Sequence, residues 1–139
     1  MSLAGARFRE LLIGILATGH CVRFPALGHS MHPAIQHGDL VTLAPLGDRR
    51  LSGDDVVAVV RNAATRQIMV HRVRRVNNEA VETRGDALPS PDGWFPRAAI
   101  IGVVVRVERQ GKAVAWRPTP WSRLRQAVRH ALARGKGKS

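Results

Sequence analysis

Ser30 stands in Gly28–Pro45, GHSMHPAIQHGDLVTLAP, with Gly28 two residues before it, Met31 directly after and Pro33 three after. A serine hydroxyl can attack a peptide carbonyl, but near neutral pH it needs an adjacent base to take its proton. The company this serine keeps suits that task. Glycine at 28 permits a positive φ or a close backbone approach, and proline at 33 stiffens the loop just past the hydroxyl. Gly38-Asp39 makes a second turn ahead of the apolar Leu40–Leu43. His71 lies in the apolar run Val70-His71-Arg72-Val73. An imidazole with an ordinary pKa of about 6.5 accepts a hydroxyl proton without special tuning. Asp86 and Asp92 follow in one loop, after Thr83-Arg84-Gly85. Either carboxylate could fix the tautomer of a histidine base and stabilise its imidazolium. Taken singly, each residue has a plain alternative: a turn serine, a half-buried strand histidine, a turn-capping Asp86 and a solvated Asp92.

The order of these segments carries more than any one of them. SMHP, then GD, then VHRV, then TRGD with a later Asp resembles the boxes of the signal peptidase I superfamily. The likeness is to its Ser–His branch, typified by the endoplasmic-reticulum and archaeal enzymes. It runs from about Val22 to Glu108, and the chain is similar to short signal-peptidase-like or phage-repressor-like peptidases. The resemblance implies a mainly β fold, a partly open, coiled β-barrel. It implies Ser30 as nucleophile, His71 as base, Asp92 as the carboxylate that orients His71, and Asp86 in a Gly-Asp turn shaping the site. Gly28, Met31 and Pro33 would form the loop around the serine and the oxyanion region. The lysine branch of the superfamily is excluded by inventory. The chain's lysines are Lys112, Lys136 and Lys138, and His71 occupies the place where that branch puts its base. The sequence also departs from the pattern. Many signal peptidases carry a hydroxyl residue two before the nucleophile, and here that residue is Gly28. The oxyanion would then rely on the Ser30 amide and a partner amide or water, and losing one donor can cost about 10²–10³ in rate.

What the resemblance implies is a serine endopeptidase cutting an extended leader or precursor peptide after small residues, through an acyl-enzyme and with no cofactor. Two other classes stay open: a weakly active or inactive peptidase-fold binding module acting through its basic C-terminus, and a self-cleaving repressor-like protein. No recognisable helix-turn-helix precedes the domain.

Composition bounds these readings. The 139 residues fit one domain with a real core, 45% of them hydrophobic. A single cysteine, Cys21, excludes an internal disulfide and reads as a small buried hydrophobe. The net charge of +12 is unevenly placed. Residues 1–108 hold 13 Arg against 10 acids, for +3, and residues 109–139 hold 9 basic residues and no acid, for +9. The uncharged stretch Leu11–Val22 is well short of the roughly 20 apolar residues of a membrane span. The expectation is therefore a cytoplasmic protein, peripheral to the membrane at most, with neither a span nor a cleaved signal. His29, His32 and His37 flank the serine, with His20 and Cys21 nearby. Their spacing fits no standard ligand set, so no metal is expected.

These residues need elements to hold them. Phe8, Leu11, Leu12, Ile15 and Leu16 at i, i+3, i+4, i+7 spacing predict a helix over Ala4–Thr18, with Gly19 as its stop. An N-terminal helix (1–20) then leads into a β domain (21–117). Its strands are expected at Val22–Leu27, Leu40–Ala44, Val56–Val60, Gln67–Val76, Ala80–Thr83, Ile100–Val107 and Ala113–Trp116. Gly85–Gly93 reads as a loop, and Val103, Val105 and Val107 as one face of a strand. Pro118 and Pro120 end the domain, and 118–139 forms a basic C-terminal helix and tail. In Trp121–Lys138 an apolar stripe of Trp121, Leu124, Val128, Ala131 and Leu132 faces away from the arginines. Such a helix can dock on the domain or lie on an anionic membrane surface. Nucleic-acid binding is the weakest reading, because no base-reading motif accompanies the charge.

Overall fold

The computed structural model describes residues 5–118 and Val128. The helix expected over Trp121–Lys138 therefore lies, Val128 apart, outside the described residues. Helix α1 (Ala6–Ala17) is followed by strands β1 (Val22–Pro25), β2 (Leu40–Pro45), β3 (Val56–Asn62), β4 (Gln67–Val76), β5 (Ala80–Arg84), β6 (Gly93–Pro96), β7 (Ile100–Arg109) and the two-residue β8 (Lys112–Ala113). A 3-10 turn over Arg97–Ala99 joins β6 to β7. All pairings are antiparallel, in the order β1-β2-β7-β3-β4-β5-β6, with β8 on β7. The fold is thus mainly antiparallel β with one N-terminal helix, and β1 and β6 end the path as unpaired edges, so the sheet is not closed.

Strand β3 explains why the sheet holds. Successive side chains point to opposite faces, and VVAVV gives it an apolar residue at every step. Val56 and Ala58 enter one core cluster with Leu12, Leu16, Phe24, Met31, Ile35 and Val107. Val57 and Val59 enter a second on the other face, with Leu51, Met69, Val73 and Val103. Each fully buried valine contributes about 1.5–2 kcal/mol. Two-sided burial is what lets this strand and its neighbour β4 serve as a rigid mount.

Helix α1 packs against the sheet more narrowly than its sequence pattern suggests. Leu12 and Leu16, one turn apart, are buried, whereas Leu11 is 61% exposed and Phe8 38%. Phe8 instead sets its ring edge-on to Phe24, centroids 6.2 Å apart. The close approach is permitted by Gly102 of β7, where a Cβ would lie 2.9 Å from the Ala44 carbonyl oxygen and 3.4 Å from Leu16 Cδ1. Cys21 is exposed, not buried, because it falls in the turn between α1 and β1.

One strand is additional to those expected and one is shorter than expected. Gly93–Pro96 pairs with β5 as an additional strand, and the loop before it, residues 85–92, agrees with the expected Gly85–Gly93 to within one residue. Beyond Ala113 the chain leaves β8 without continuing to Trp116. The single-face reading of Val103, Val105 and Val107 also fails. Thr42 pairs with Arg106 and Leu43 with Val104, so Val105 is a bulge residue with no partner in β2. One extra residue shifts the alternation by one, which puts Val103 in one core cluster and Val107 in the other. No helix among the described residues is long and apolar enough to cross a membrane.

Candidate active site

The serine loop leaves β1 and returns at β2, and its base is latched. Ala26 N–H donates to the Asp39 carbonyl (2.7 Å) and Gly38 N–H to the Ala26 carbonyl (2.8 Å). The Asp39 carboxylate accepts from the Gln36 amide (2.8 Å) and from Arg109 Nε and Nη2 (2.9 and 2.8 Å) at the end of β7. Burial pushes the Asp39 carboxyl up, but the bonds from Arg109 and Gln36 outweigh it and hold the group below its ordinary value. Above the latch, Met31 and Ile35 are buried and pin the loop to the core. Gly28 adopts φ +91°, a conformation that L side chains rarely take, and its N–H donates to His37 Nδ1 at 3.0 Å. Pro33, exposed, follows a cis peptide bond after His32.

The sheet supplies the histidine. His71 sits opposite Val57 in β4 and is 4% exposed. Its Nε2 lies 3.0 Å from Ser30 Oγ and its Nδ1 2.7 Å from Asp92 Oδ2. A carboxylate can only accept, so Nδ1 carries the proton and Nε2 is left to accept from the serine hydroxyl. Burial pushes the His71 pKa down, partly offset by the bond to Asp92, and the net displacement is below the ordinary 6.5. A buried neutral imidazole aimed at a hydroxyl is what a general base requires.

Asp92 is itself positioned by β5. Thr83, the cross-strand partner of Val73, donates its hydroxyl to Asp92 Oδ2 (2.8 Å), and the Asp92 amide donates to the Thr83 carbonyl (2.8 Å). The Asp92 side chain is 7% exposed, which removes the solvated-loop alternative. Asp86 goes elsewhere. Its two oxygens accept from Arg72 Nε and Nη2, both at 2.8 Å, while Arg72 also reaches the Asp54 carbonyl (2.9 Å) and the Trp116 carbonyl (2.7 Å). Asp86 is therefore tied to Arg72, the residue next to His71, and not to His71 itself. Its amide donates to Met31 Sδ at 3.4 Å, and the neighbouring Ala87 amide donates to the Ser30 carbonyl at 2.9 Å. The Gly85–Leu88 turn is thus laid across the serine.

Three positions the motif reading did not assign turn out to shape this centre: Arg72, Thr83 and Gly85. All three stand inside the VHRV and TRGD segments, so their signal was adjacency to His71 and Asp86. For Gly85 the reason is steric. A Cβ there would lie 2.8 Å from the Ser30 carbonyl oxygen, 3.1 Å from His71 Nε2 and 2.9 Å from Leu88 Cδ1. Only glycine leaves the imidazole edge uncovered.

Among the described residues, no backbone or side-chain acceptor engages the Ser30 N–H, so that amide is available to an oxyanion. Gly28 supplies no side-chain donor beside it. Of the nearby histidines, His37 accepts from Gly28 with the His29 ring 5.7 Å away, and His20, ahead of β1, has its Nδ1 2.9 Å from Thr18 Oγ1. Among the described residues no group of three His, Cys, Asp or Glu could hold a metal ion. Leu27 and Leu88, exposed at 39% and 38%, leave apolar surface on the two segments that meet at Ser30. Compared with protein-family models, curated proteins and solved structures, the chain matches none of them.

Proposed function

We propose that this chain is a serine endopeptidase of the signal-peptidase kind, with Ser30 as nucleophile, His71 as general base and Asp92 as the carboxylate that orients it. The observation that carries the reading is the unbroken line Ser30 Oγ–His71 Nε2–His71 Nδ1–Asp92 Oδ2, at 3.0 and 2.7 Å, with base and carboxylate buried. In the reaction Ser30 Oγ attacks the scissile carbonyl as its proton passes to His71 Nε2. The imidazolium, stabilised by Asp92, then protonates the leaving amine, and the peptide C–N bond breaks to leave an ester on Ser30. Water attacks that ester, giving its proton to His71, and the acid product leaves as the hydroxyl is restored. The Ser30 amide donates to the oxyanion in both steps.

The open sheet with its unpaired edges is compatible with the partly open, coiled barrel of that superfamily. Strand β1 is an edge and leads directly into the serine loop. An extended peptide adding to such an edge gains main-chain hydrogen bonds and brings its scissile bond toward Ser30. The preference for small residues before the cut rests on the motif resemblance. The test is labelling with a fluorophosphonate together with digestion of a mixed peptide library. Wild type should label on Ser30 and cut the library, and Ser30→Ala should do neither. A wild-type chain that neither labels nor cuts, or cleavage that survives Ser30→Ala, overturns the reading.

A further inference from the structure

We infer that a pocket between the start of β3 and the middle of β7 binds a phosphate group, borne by a small organic phosphate or by a lipid headgroup. Strands β3 and β7 pair at Val59↔Ile100, Ala58↔Gly102 and Val57↔Val103, and the pairing stops there. Past that point β7 carries its bulge at Val105, and a cavity of about 370 Å³ opens against Val103–Val105 in mid-strand, next to Asp55 just before β3. This inference is independent of the peptidase reading and uses none of its residues.

The pocket has a one-sided charge. Arg49, Arg50 and Arg117 line it, with Asp55 as the carboxylate in the same wall. Asp55 is already taken: it accepts from the Ser52 amide at 3.0 Å and pairs with Arg117, its own side chain 7% exposed. Arg49 and Arg50 find no acidic partner among the described residues. Like charges gathered around one cavity repel unless an anion sits between them. A second donor lacks a partner. Trp116 lines the same pocket, and its Nε1 is buried with no acceptor among the described residues. A buried N–H without an acceptor costs about 1–3 kcal/mol, and such an orphan beside a cavity points to a ligand acceptor.

The ligand chemistry follows from these donors. Planar guanidinium forks match phosphate oxygens bidentately. The volume exceeds what a bare phosphate fills, and Val103 and Leu51 offer apolar wall for the carbon part of an ester. Residues 118–139 carry six Lys or Arg and no Asp or Glu.

The experiment reads the Trp116 indole N–H in ¹⁵N spectra of the full chain, assigned with Trp116→Phe. The probes are glycerol 3-phosphate, succinate at matched ionic strength, and vesicles of phosphatidylglycerol or phosphatidylcholine. Glycerol 3-phosphate should shift the indole signal saturably, succinate should not, and Arg49→Gln/Arg50→Gln should weaken binding at least tenfold at unchanged Tm. If that double variant unfolds, Arg50→Gln alone should still weaken binding several-fold. Sedimentation with phosphatidylglycerol but not phosphatidylcholine vesicles, lost in the same variant, assigns the phosphate to a headgroup. Binding of glycerol 3-phosphate without vesicle binding assigns it to a small ester. The inference is overturned if neither probe binds, if succinate matches the phosphate, or if the arginine variants bind as wild type does.

Discussion

Asp86 and Asp92 lie six residues apart in one loop, yet the fold gives them opposite work. Asp86 meets a guanidinium that already binds two carbonyls, so its charge is matched by a permanent cation and the contact fastens β4 to the serine turn. Asp92 meets a neutral imidazole and a threonine hydroxyl, so its charge has no permanent counter-ion in contact and can stabilise one that appears during reaction. The difference teaches that a carboxylate near a catalytic serine is identified by what it faces. Proximity in sequence does not separate the two.

The contrast is sharpest where the centre itself is removed. Ser30→Ala and His71→Ala should each lower peptide cleavage by about 10⁴-fold or more, and the double variant should be scarcely worse than either, because the pair acts as a unit. Steady-state kcat/KM on one cleaved peptide checks this. Losses that multiply in the double variant would break the pair.

The two aspartates then separate by kind of damage. Asp92→Asn should leave the fold intact and cost about 10³–10⁴-fold in kcat, since an amide can favour the wrong imidazole tautomer. Asp86→Asn should cost about 2 kcal/mol of stability by leaving part of the Arg72 fork unmatched, with a much smaller loss of kcat. Denaturant unfolding beside kcat measurement distinguishes them. If Asp86→Asn proved the more damaging to kcat at full folding, the assignments would have to be exchanged.

Gly85→Ala tests the turn that lies between them. Its Cβ would press on the Ser30 carbonyl and the His71 Nε2 edge. A displacement of even 1 Å at a reacting group can cost about 10²-fold, so activity should fall by that order or more, and the clash with the Ser30 backbone should lower the unfolding midpoint as well. Unchanged kcat in a folded Gly85→Ala variant would show that the turn can move aside.

How much of this could be read beforehand follows the same division. Ser30, His71 and Asp92 could be named because the ordered motifs that carry them resemble those of a peptidase superfamily, and the fold brings the three within hydrogen-bond distance. The strands could be placed because β3 and β4 are runs of β-branched residues between turn signals. Arg72's fork could not be read, since nothing in a linear order says that Asp54, Asp86 and Trp116 meet at one side chain. The phase slip at Val105 was hidden because a bulge leaves no mark in an unbroken run of valines. Leu11's exposure escaped for a related reason: apolar spacing fixes a helix but not how wide a face its sheet will cover.

The smallest effect, and the most discriminating between the Asp39 latch and the proposed catalytic centre, is in pH. His71 is held below its ordinary 6.5, chiefly by burial, so kcat/KM should fall on the acid side with an apparent pKa below 6.5. The folded chain also resists a proton that the unfolded chain takes up, so His71's contribution to stability declines as pH drops through and below 6.5. Asp39 behaves differently in range. Its carboxyl is held below 3.8, so the stability it lends the latch is present above that value and is lost only as pH falls through the lowered folded pKa. Activity should therefore fade across the histidine range while the serine loop stays latched, and recover fully when pH is restored. Asp39→Asn should lower Tm near neutral pH yet leave the activity pKa where it was. Proton-linked activity measured beside thermal unfolding from pH 4 to 8 checks both arms. An activity pKa that moves with Asp39→Asn would mean that the latch, and not His71, sets the acid limb.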